Sequence, residues 1–319
     1  MKKILLSASV ILMLFACQNE ATDTTAPTTT AIAHRGCASQ EVLEAQLAAD
    51  PSLAIRMNQI EAFTQKAQLS NSRLVNGKIV IPVVVNVLYK TAAENISDAQ
   101  IQSQIDVLNK DFTATNSDFG SIPALFSGVA ANVDITFELV KINRKATTKT
   151  SWGTRDAMKK TKQGGLDPTS PSTNLNLWVC TIGGGILGYA QFPGGSLATD
   201  GVVCDSKYVG VTPDSGSAYP YNLGRTASHE IGHWMNLRHI WGDATCGSDL
   251  VADTPTHNTA NYGVPTYPHY STCPGTPVEM TMNYMDYTDD RGMYMFTLGQ
   301  KSRMSALFVS GGARAAFGI

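Results

Sequence analysis

Three histidines and one glutamate stand close together in the sequence at a spacing that suits metal chemistry. His229 and His233 are four residues apart, and Glu230 follows the first, in a segment that the pattern predicts to be helical from about Thr226. Residues four apart share one helix face, so both imidazoles can bind one zinc ion. Glu230 is rotated by about 100°, which lets its carboxylate take a proton from a metal-bound water. This pattern predicts a hydrolytic zinc site.

A hydrolytic zinc site needs a third protein ligand and one further position for water. His239 follows His233 by six residues and could not face the same ion if the helix simply continued. The chain must therefore turn back, and Asn236 stands where a left-handed residue is needed. We predict a positive φ at Asn236 and a site of three histidines. A glutamate as third ligand is the rival arrangement, and His239 disfavours it.

The segment from His229 to Asp243 reads H-E-x-x-H-x-x-N-x-x-H followed by Ile-Trp-Gly-Asp. It resembles the pappalysin family (M43) of metzincin metallopeptidases, including its bacterial ulilysin-like and mirolysin-like members. The resemblance extends from about Arg73 to Phe308. It implies a metzincin fold and a zinc metalloendopeptidase in which Glu230 acts as general base and then as general acid.

The same resemblance assigns roles to residues that would otherwise pass as core. Met285 becomes the methionine of a tight turn beneath the zinc ligands, and Tyr287 the side chain that stabilises the oxyanion of the tetrahedral intermediate. Residues 188–192 resemble the edge strand to which substrate adds as an antiparallel strand. A purely structural strand is the alternative. The rim residues assigned in this way are Tyr189, Ala190 and Gln191.

The order of the remaining patterns predicts one catalytic domain over residues 73–319. Buried-strand and alternating patterns are interrupted by a helix that begins with a capping pattern at Ser97. This order favours an α/β (α+β) fold, a twisted mixed sheet with a backing helix, an active-site helix and an irregular C-terminal part that ends in a helix. The predicted strands cover residues 79–88, 133–142, 175–182 and 202–204, and the predicted helices begin near residues 98, 226 and 297.

The N-terminal residues predict export. A basic start precedes an apolar stretch, residues 4–15, that is too short to span a bilayer. The stretch ends Leu-Phe-Ala-Cys and resembles a lipobox, so we predict a lipoprotein signal peptide over 1–16 and lipidation of Cys17. An ordinary signal peptide with an incidental cysteine is the alternative. The Thr- and Ala-rich residues 17–33 predict a flexible tether.

Residues 34–72 are interpreted as a pro-segment, because the helical pattern over 39–69 is too short to form its own core. Cys37 lies in this segment, and a thiolate can fill the zinc position that water needs. The resemblance implies such a cysteine-dependent latency, relieved by cleavage before Arg73. An inert or dimer-forming cysteine is the alternative.

Six cysteines in an exported chain invite disulfides. The resemblance implies a disulfide between Cys246 and Cys273. Val264 and Gly292 stand where the cysteines of a second family disulfide are expected. Cys180 and Cys204 lie in predicted strands and can form a disulfide only if those strands are neighbours.

Calcium and a basic specificity are expected only through the resemblance. Asp249, Asp253 and Thr254 offer the oxygen ligands that calcium prefers, and a solvated acidic loop is the alternative. Ulilysin-like relatives cut before Arg or Lys, with an acidic selector expected near position 291. This chain has Arg291 there, which would repel a basic side chain unless the preceding Asp289 or Asp290 acts instead.

The partners follow from charge and site. A net charge of −2 gives no basic field for nucleic acid, so peptides or proteins are the expected substrates of a monomer whose membrane contact is its lipid anchor. The function predicted is a secreted, latent zinc endopeptidase. A catalytically silent binding module of the same fold is the rival, and it would have lost ligands or base. Neither is lost here.

Overall fold

The computed structural model describes residues 34–69 and 79–317. The predicted signal peptide and tether, the lipidation of Cys17 and the cleavage before Arg73 fall outside the described residues. From His34 onward the chain forms one compact unit. Within the described ranges, the structure contains no helix that combines the length and the apolar character needed to cross a membrane.

One sheet of five strands lies at the centre of the fold. Its strands are β1 (Ile79–Tyr89), β2 (Ile135–Ala146), β3 (Leu175–Cys180), β4 (Gly188–Ala190) and β5 (Val202–Asp205). Their order is β2-β1-β3-β5-β4, and all neighbours are parallel except the edge strand β4, which pairs antiparallel with β5. Strand β1 is largely buried, as its continuous β-branched run predicts. The predicted mixed α/β sheet is confirmed.

The described residues form six α-helices besides the sheet, two of them in the predicted pro-segment. They are α1 (Ser39–Ala49), α2 (Ser52–Leu69), α3 (Asp98–Phe112), α4 (Ala124–Ser127), α5 (Arg225–Trp234) and α6 (Leu298–Ser305). The side chain of Ser97 caps α3 by accepting a hydrogen bond from the Gln100 amide at 3.1 Å, as the capping pattern predicts. Apolar side chains of α3 and α5 pack in the main core with the sheet, so α5 is buried along its whole length.

Cys180 and Cys204 are both free, so the disulfide proposed between them is wrong. Their strands are neighbours, but Cys180 pairs with Asp205 and Cys204 with Val179. Alternate residues of a strand point to opposite faces, so a register offset of one residue separates the two sulfurs. Cys204 packs in the main core, whereas Cys180 packs with Trp178 in a second core on the opposite face.

The irregular C-terminal part is held by a disulfide and closed by α6. Cys246 and Cys273 are bonded, with Cα atoms 5.6 Å apart, which confirms the pairing implied by the family resemblance. Helix α6 begins with a capping box between Thr297 and Gln300. Leu298, its first residue, is half exposed.

Helices α1 and α2 of the predicted pro-segment belong to the same compact unit as the rest of the chain from His34 onward. Leu43 of α1 and Leu53 of α2 pack with Phe192 beyond the edge strand. Ala67 of α2 packs with Ala306 directly after α6. The short block that could not form a core of its own therefore buries its apolar side chains against the enzyme.

Candidate metal centre

Three histidine side chains meet at the end of α5. Nε2 of His233 lies 3.2 Å from Nε2 of His229 and 3.1 Å from Nε2 of His239. His229 and His233 share one face of the helix, because they are four residues apart. The helix ends at Trp234, and Asn236, with a φ of 70°, turns the chain so that His239 reaches the same point. This is the left-handed residue that the spacing of the histidines requires.

The outer nitrogen of each ring determines what the inner nitrogen can bind. Each Nδ1 faces an acceptor oxygen, so each carries the proton and leaves Nε2 with a lone pair. Burial lowers the pKa of His229, and lowers that of His233 to about 3, which keeps both rings neutral. Three converging Nε2 lone pairs on buried imidazoles fit a zinc ion. The acceptors, in chain order of the histidines, are the carbonyl oxygens of Tyr284 and Leu237 and the carboxylate of Asp243.

Met285 packs directly against the underside of the metal-binding helix. Its sulfur lies so close to Gly232 that a Cβ there would collide with it. Its carbonyl accepts a hydrogen bond from the amide of Ile240, at 3.1 Å, next to the third histidine. Met285 therefore contacts both parts of the chain that carry the histidines.

The Glu230 carboxylate lies against the edge strand, where a Cβ at Gly188 would come within 2.9 Å of Glu230 Cγ. Glu230 Oε2 accepts hydrogen bonds from Ser39 Oγ at 2.9 Å and from Cys37 Sγ at 3.3 Å. Burial raises the pKa of Glu230 to about 7, against the opposing effect of these two hydrogen bonds. A carboxyl group with this pKa can take up and return a proton near neutral pH.

Cys37 faces the three histidines, and its sulfur and one ring nitrogen of each lie within 4.8 Å of one another. In the part of the chain that the structure describes, this is the sole group of three or more metal-binding side chains. Burial and the nearby Glu230 raise the pKa of the Cys37 thiol, so a thiolate here needs an adjacent cation. The carbonyl of Cys37 accepts from Tyr287 Oη at 3.2 Å. Burial raises the pKa of Tyr287, which keeps its hydroxyl a donor.

The pro-segment runs parallel to the edge strand, with Cys37 opposite Gly188. The amide of Leu187 donates to the carbonyl of Gly36 at 2.8 Å, and the amide of Ala38 donates to the carbonyl of Gly188 at 3.1 Å. The main chain of this rim thus binds an added strand, as a substrate rim must.

The three residues assigned to the rim have different surroundings. The amide of Ala190 donates to Ser39 Oγ at 2.8 Å. The side chain of Tyr189 lies in the core on the opposite face of the sheet, where its hydroxyl donates to Asp156 at 3.0 Å. The side chain of Gln191 accepts a hydrogen bond from α1 at 3.2 Å. The core that holds the Tyr189 side chain also includes Ala38 and Val42 of the added segment, so side chains as well as the main chain of this strand contact that segment.

Arg35 fills a buried pocket beside the histidines. Its guanidinium forms an ion pair with Asp290, donates to the carbonyl of Thr288 at 3.1 Å and lies 4.9 Å from the ring centre of Tyr221. The Asp290 carboxylate also accepts from the amide of Leu223 at 2.8 Å. Both members of the ion pair are almost fully buried, so the pocket encloses one cationic side chain against one carboxylate.

Arg291 lies outside this pocket, contrary to the repulsion expected from its position in the sequence. Its guanidinium is half exposed, 3.5 Å from the Asp214 carboxylate and 4.9 Å from the ring centre of Tyr219. The turn of residues 290–292 directs the neighbouring Asp290 inward instead.

Sequence reasoning missed two pro-segment side chains of the site, Arg35 and Ser39. They stand two residues before and two residues after Cys37. Side chains two apart on an extended strand point to the same face, so an extended segment places Arg35 on the side of Cys37, whereas Ser39 is the first residue of α1. This spacing was the available signal.

The oxygen ligands expected for calcium divide between two environments. Thr254 donates to the Asp249 carboxylate at 2.9 Å. Asp253 instead accepts from Thr297 Oγ1 at 2.7 Å and from the amide of Gly299 at 2.8 Å, at the start of α6. Burial raises the pKa of Asp249 to about 6.

A family model described as pregnancy-associated plasma protein-A, of the M43 peptidases, matches residues 181–309. The chain belongs to the M43 (pappalysin) family. Its 33% identity to an extracellular metalloprotease of Pyricularia oryzae covers 84% of this chain and 81% of that protein. An extracellular metalloprotease of Arthroderma benhamiae is 30% identical over 80% of this chain and 87% of its own length. The family predicted from the histidine motif is confirmed.

Two solved structures of this family are similar to the chain. Mature mirolysin of Tannerella forsythia, in complex with a cleaved peptide, has a TM-score of 0.73 and 43% identity over 76% of this chain and 96% of its own. A promirolysin mutant of the same organism has a TM-score of 0.80 and 39% identity over 89% of this chain and 97% of its own. The M43 member described here therefore has the mirolysin fold, and the metzincin prediction is confirmed.

Proposed function

We propose that this M43 metallopeptidase is an exported zinc endopeptidase that is made as a latent zymogen. The observation that carries the proposal is the convergence of three imidazole nitrogens, from His229, His233 and His239, beside the buried Glu230. Peptide hydrolysis needs an activated water, a proton acceptor and an oxyanion donor. This family and this arrangement of side chains supply residues suited to each task.

The reaction assigns one task to each side chain. Bound zinc, held by the three histidines, would lower the pKa of a water molecule and polarise the scissile carbonyl. Glu230 takes the proton of the attacking water and delivers it to the leaving amine, which suits its pKa of about 7. Tyr287 donates its hydroxyl to the carbonyl oxygen as negative charge develops there. In the zymogen this hydroxyl already donates to a main-chain carbonyl, that of Cys37.

Latency would follow from a pro-segment over residues 34–72, whose described residues 34–69 pack against the proposed catalytic domain, residues 73–319. The Cys37 sulfur faces the histidines, and Ser39 hydrogen-bonds to Glu230. The metal position and the Glu230 carboxylate are therefore both occupied before a substrate can bind. The greater coverage of this chain by promirolysin than by mature mirolysin supports a removable segment of this length. Cleavage before Arg73 would release the segment.

The buried Asp290 gives the proposed enzyme a preference for Arg or Lys after the scissile bond, at P1′. Arg35 occupies the Asp290 pocket in the zymogen and is removed with the pro-segment. A substrate with a basic P1′ residue would then satisfy the same carboxylate, whereas an apolar one would leave it unpaired. Arg73, the first residue after the proposed cleavage, is itself a basic P1′ residue.

The proposal also includes export of the protein and a calcium site. The relatives named extracellular metalloproteases and the predicted signal peptide support export, with Cys17 as a lipid anchor that cleavage before Arg73 would release. Calcium at the loop of Asp249 and Thr254 is supported by oxygen ligands and by a buried carboxylate whose charge a cation would offset.

The proposal predicts what a peptide library will show. The full chain, allowed to process itself, is incubated with the library with and without a zinc chelator, and mass spectrometry identifies the cut bonds. We expect cuts mainly before Arg and Lys, abolished by the chelator and reduced by about 100-fold or more in Glu230→Gln. Asp290→Asn should reduce the basic preference about tenfold, because a hydrogen-bonded charge partner is lost.

Two outcomes would contradict the proposal. Cleavage that persists without zinc would exclude the metal mechanism. A processed chain that cuts nothing would favour the silent binding module. Asp289→Asn is the matched control, since Asp289 lies next to the pocket whereas the ion pair of Arg35 is with Asp290, and it should keep the basic preference.

A further inference from the structure

Tyr262 lies beside the pocket of Asp290 and has no part in the proposed chemistry. Its ring meets the His34 imidazole edge to face, with centroids 4.7 Å apart and an interplanar angle of 61°. Its other ring neighbour is Tyr287, at 6.0 Å. We propose that Tyr262 forms the next substrate subsite, S2′, and selects a ring side chain at P2′. This inference rests on the proposed function, from which it takes the direction of the substrate.

The order of residues in the pro-segment locates this subsite relative to the Asp290 pocket. Arg35 fills the pocket, and His34, one residue further from Cys37, contacts Tyr262. The pro-segment runs parallel to the edge strand, while a substrate would run antiparallel to it. Residues that follow the scissile bond would therefore cover the positions that the pro-segment residues before Cys37 cover. P1′ takes the place of Arg35, and P2′ that of His34.

Hydrogen bonds on both sides of Tyr262 hold its main chain in place. The amide and the side-chain nitrogen of Asn261 donate to the Asp286 carboxylate, at 2.8 and 2.9 Å. The carbonyl of Gly263 accepts from the amide of Asp289 at 2.8 Å. Asp286 directly precedes Tyr287, and Asp289 directly precedes Asp290, whose carboxylate lies in the pocket. Tyr262 is thus fixed to the two parts of the chain that line the site, and a fixed wall loses little entropy when it binds a ligand.

The chemistry of Tyr262 favours planar side chains. Its side chain is 44% exposed even with His34 in contact, so a P2′ side chain has one open ring to pack against. Edge-to-face ring pairs stabilise a complex by more than the apolar area they bury would give. This extra binding free energy corresponds to about a 2- to 12-fold gain in affinity. The nearby carboxylates of Asp286 and Asp289 disfavour an acidic P2′ residue.

The test is a set of peptides that share Arg at P1′ and differ at P2′, where they carry Phe, His, Leu or Glu. The processed full chain is assayed for kcat/KM, and the dipeptides Arg-Phe and Arg-Leu are compared as inhibitors to isolate binding from chemistry. We expect the wild type to prefer Phe and His over Leu about fivefold, and to bind Arg-Phe more tightly by the same factor. Glu should be the poorest substrate.

Two variants test whether the aromatic ring of Tyr262 causes the preference at P2′. Tyr262→Phe should keep the preference, whereas Tyr262→Leu should bring the ratio of Phe to Leu close to one. Tyr270→Leu is the matched control, because Tyr270 is 60% exposed on the same subdomain, and it should behave as the wild type. A wild type indifferent to P2′, or a ring preference that survives in Tyr262→Leu, would overturn the inference alone. Failure to cut any peptide before Arg would refute the proposed function itself.

Discussion

Ser39 contacts the carboxylate on which the proposed chemistry depends. Its hydroxyl donates to Glu230 at 2.9 Å and accepts from the amide of Ala190 at 2.8 Å, and the side chain is fully buried. One hydroxyl therefore joins the pro-segment, the proposed base and the edge strand. In the proposed zymogen, Cys37 would fill the metal position that water needs, and Ser39 independently hydrogen-bonds to the proposed proton acceptor.

Replacing Ser39 by Ala should speed self-processing of the zymogen about tenfold. The change removes the hydrogen bond to Glu230 and leaves the Ala190 amide unpaired, a loss of about 1–3 kcal/mol in the closed state. More molecules would then have the pro-segment lifted at any moment. The time course of pro-segment loss on a gel measures the rate. Cys37→Ala should act more strongly, because it frees the metal position.

Gln40→Ala is the control for this experiment, since Gln40 is the neighbouring residue and its side chain hydrogen-bonds within α1 to Glu44. It should process at the wild-type rate. A Ser39→Ala zymogen that is as stable as the wild type would show that the hydrogen bond to Glu230 contributes nothing to latency.

Asp249 is a buried carboxyl whose ionisation opposes folding. Burial raises its pKa in the folded state to about 6, whereas an unfolded Asp has a pKa of about 3.9. The folded state therefore holds the proton more tightly, and the stabilisation present below pH 4 is lost as the pH rises through about 6. The cost at pH 7 is about 3 kcal/mol if no cation lies beside the carboxylate.

Asp249→Asn should therefore raise the melting temperature at pH 7 in the absence of calcium, and should change it little at about pH 3.5, below both pKa values. The amide keeps an oxygen that can accept from Thr254 and carries no charge. If calcium binds here, excess calcium should stabilise the wild type at pH 7 and leave the variant unaffected. Calorimetry of the zymogen at both pH values measures this, with the exposed Asp106→Asn as control. An equal response of both proteins to calcium would exclude Asp249 as a calcium ligand.

The loop of residues 262–264 and the turn of residues 290–292 jointly shape the wall of the proposed substrate site. They meet where a second family disulfide is expected, since a Cβ at Gly292 would lie 3.4 Å from Val264 Cγ2. The joint absence of the two cysteines leaves packing and the Asp289–Gly263 hydrogen bond to hold these elements together.

Introducing Cys at both Val264 and Gly292 should restore a covalent link between the two elements. The geometry suits a disulfide because the two Cβ atoms would be close. We expect a stabilisation of about 2–4 kcal/mol from the closed loop, seen as a higher melting temperature that a reductant reverses. Each single variant serves as a control and should gain nothing. A double variant that forms the bond without any gain in stability would show that these elements are already rigid.

The features that the sequence predicted correctly depend on local spacing or on the family resemblance. His229, His233 and Asn236 lie within one helix and its terminal turn, where periodicity determines direction. The disulfide of Cys246 and Cys273 came from the resemblance alone. Local pattern was enough for these features because the residues involved are close in the chain or shared with relatives.

The features that were missed or wrong depend on the register and on distant pairing. The pairs Arg35–Asp290 and Ser39–Glu230 join residues far apart in the chain, so no periodicity reveals them. The wrong pairing of Cys180 followed from an unknown strand register, in which a shift of one residue reverses the face.

The predicted pro-segment makes a second connection to the histidine cluster, through Arg303 of α6. Glu61 of α2 binds both terminal nitrogens of Arg303, at 2.9 and 2.5 Å, and the Arg303 side chain is only 2% exposed. Arg303 Nε donates at 2.8 Å to the carbonyl of Asn236, the residue that turns the chain towards His239. A single buried arginine thus links α2 to the turn on which the third histidine depends.

This link predicts different effects for the two partners. Glu61→Gln should lower the melting temperature of the zymogen and speed self-processing, because it leaves the buried charge of Arg303 without its counter-ion, at a cost of about 2 kcal/mol or more. The mature enzyme from this variant should have the wild-type kcat/KM, since residue 61 leaves with the pro-segment. Arg303→Lys should impair both forms, because it also removes the hydrogen bond to Asn236.

The comparison needs melting curves of each zymogen, processing rates and the kcat/KM of each mature enzyme, with Glu41→Gln, an exposed change on α1, as control. A mature enzyme altered by Glu61→Gln would mean that α2 stays bound after cleavage, so that the pro-segment would be a lasting part of the enzyme. A zymogen unaffected by the change would mean that the turn at Asn236 is held without α2. Arg303 contacts both Glu61 of the predicted pro-segment and the turn at Asn236, which is why one side chain can affect latency and the metal site together. Either result would show that these two effects are independent.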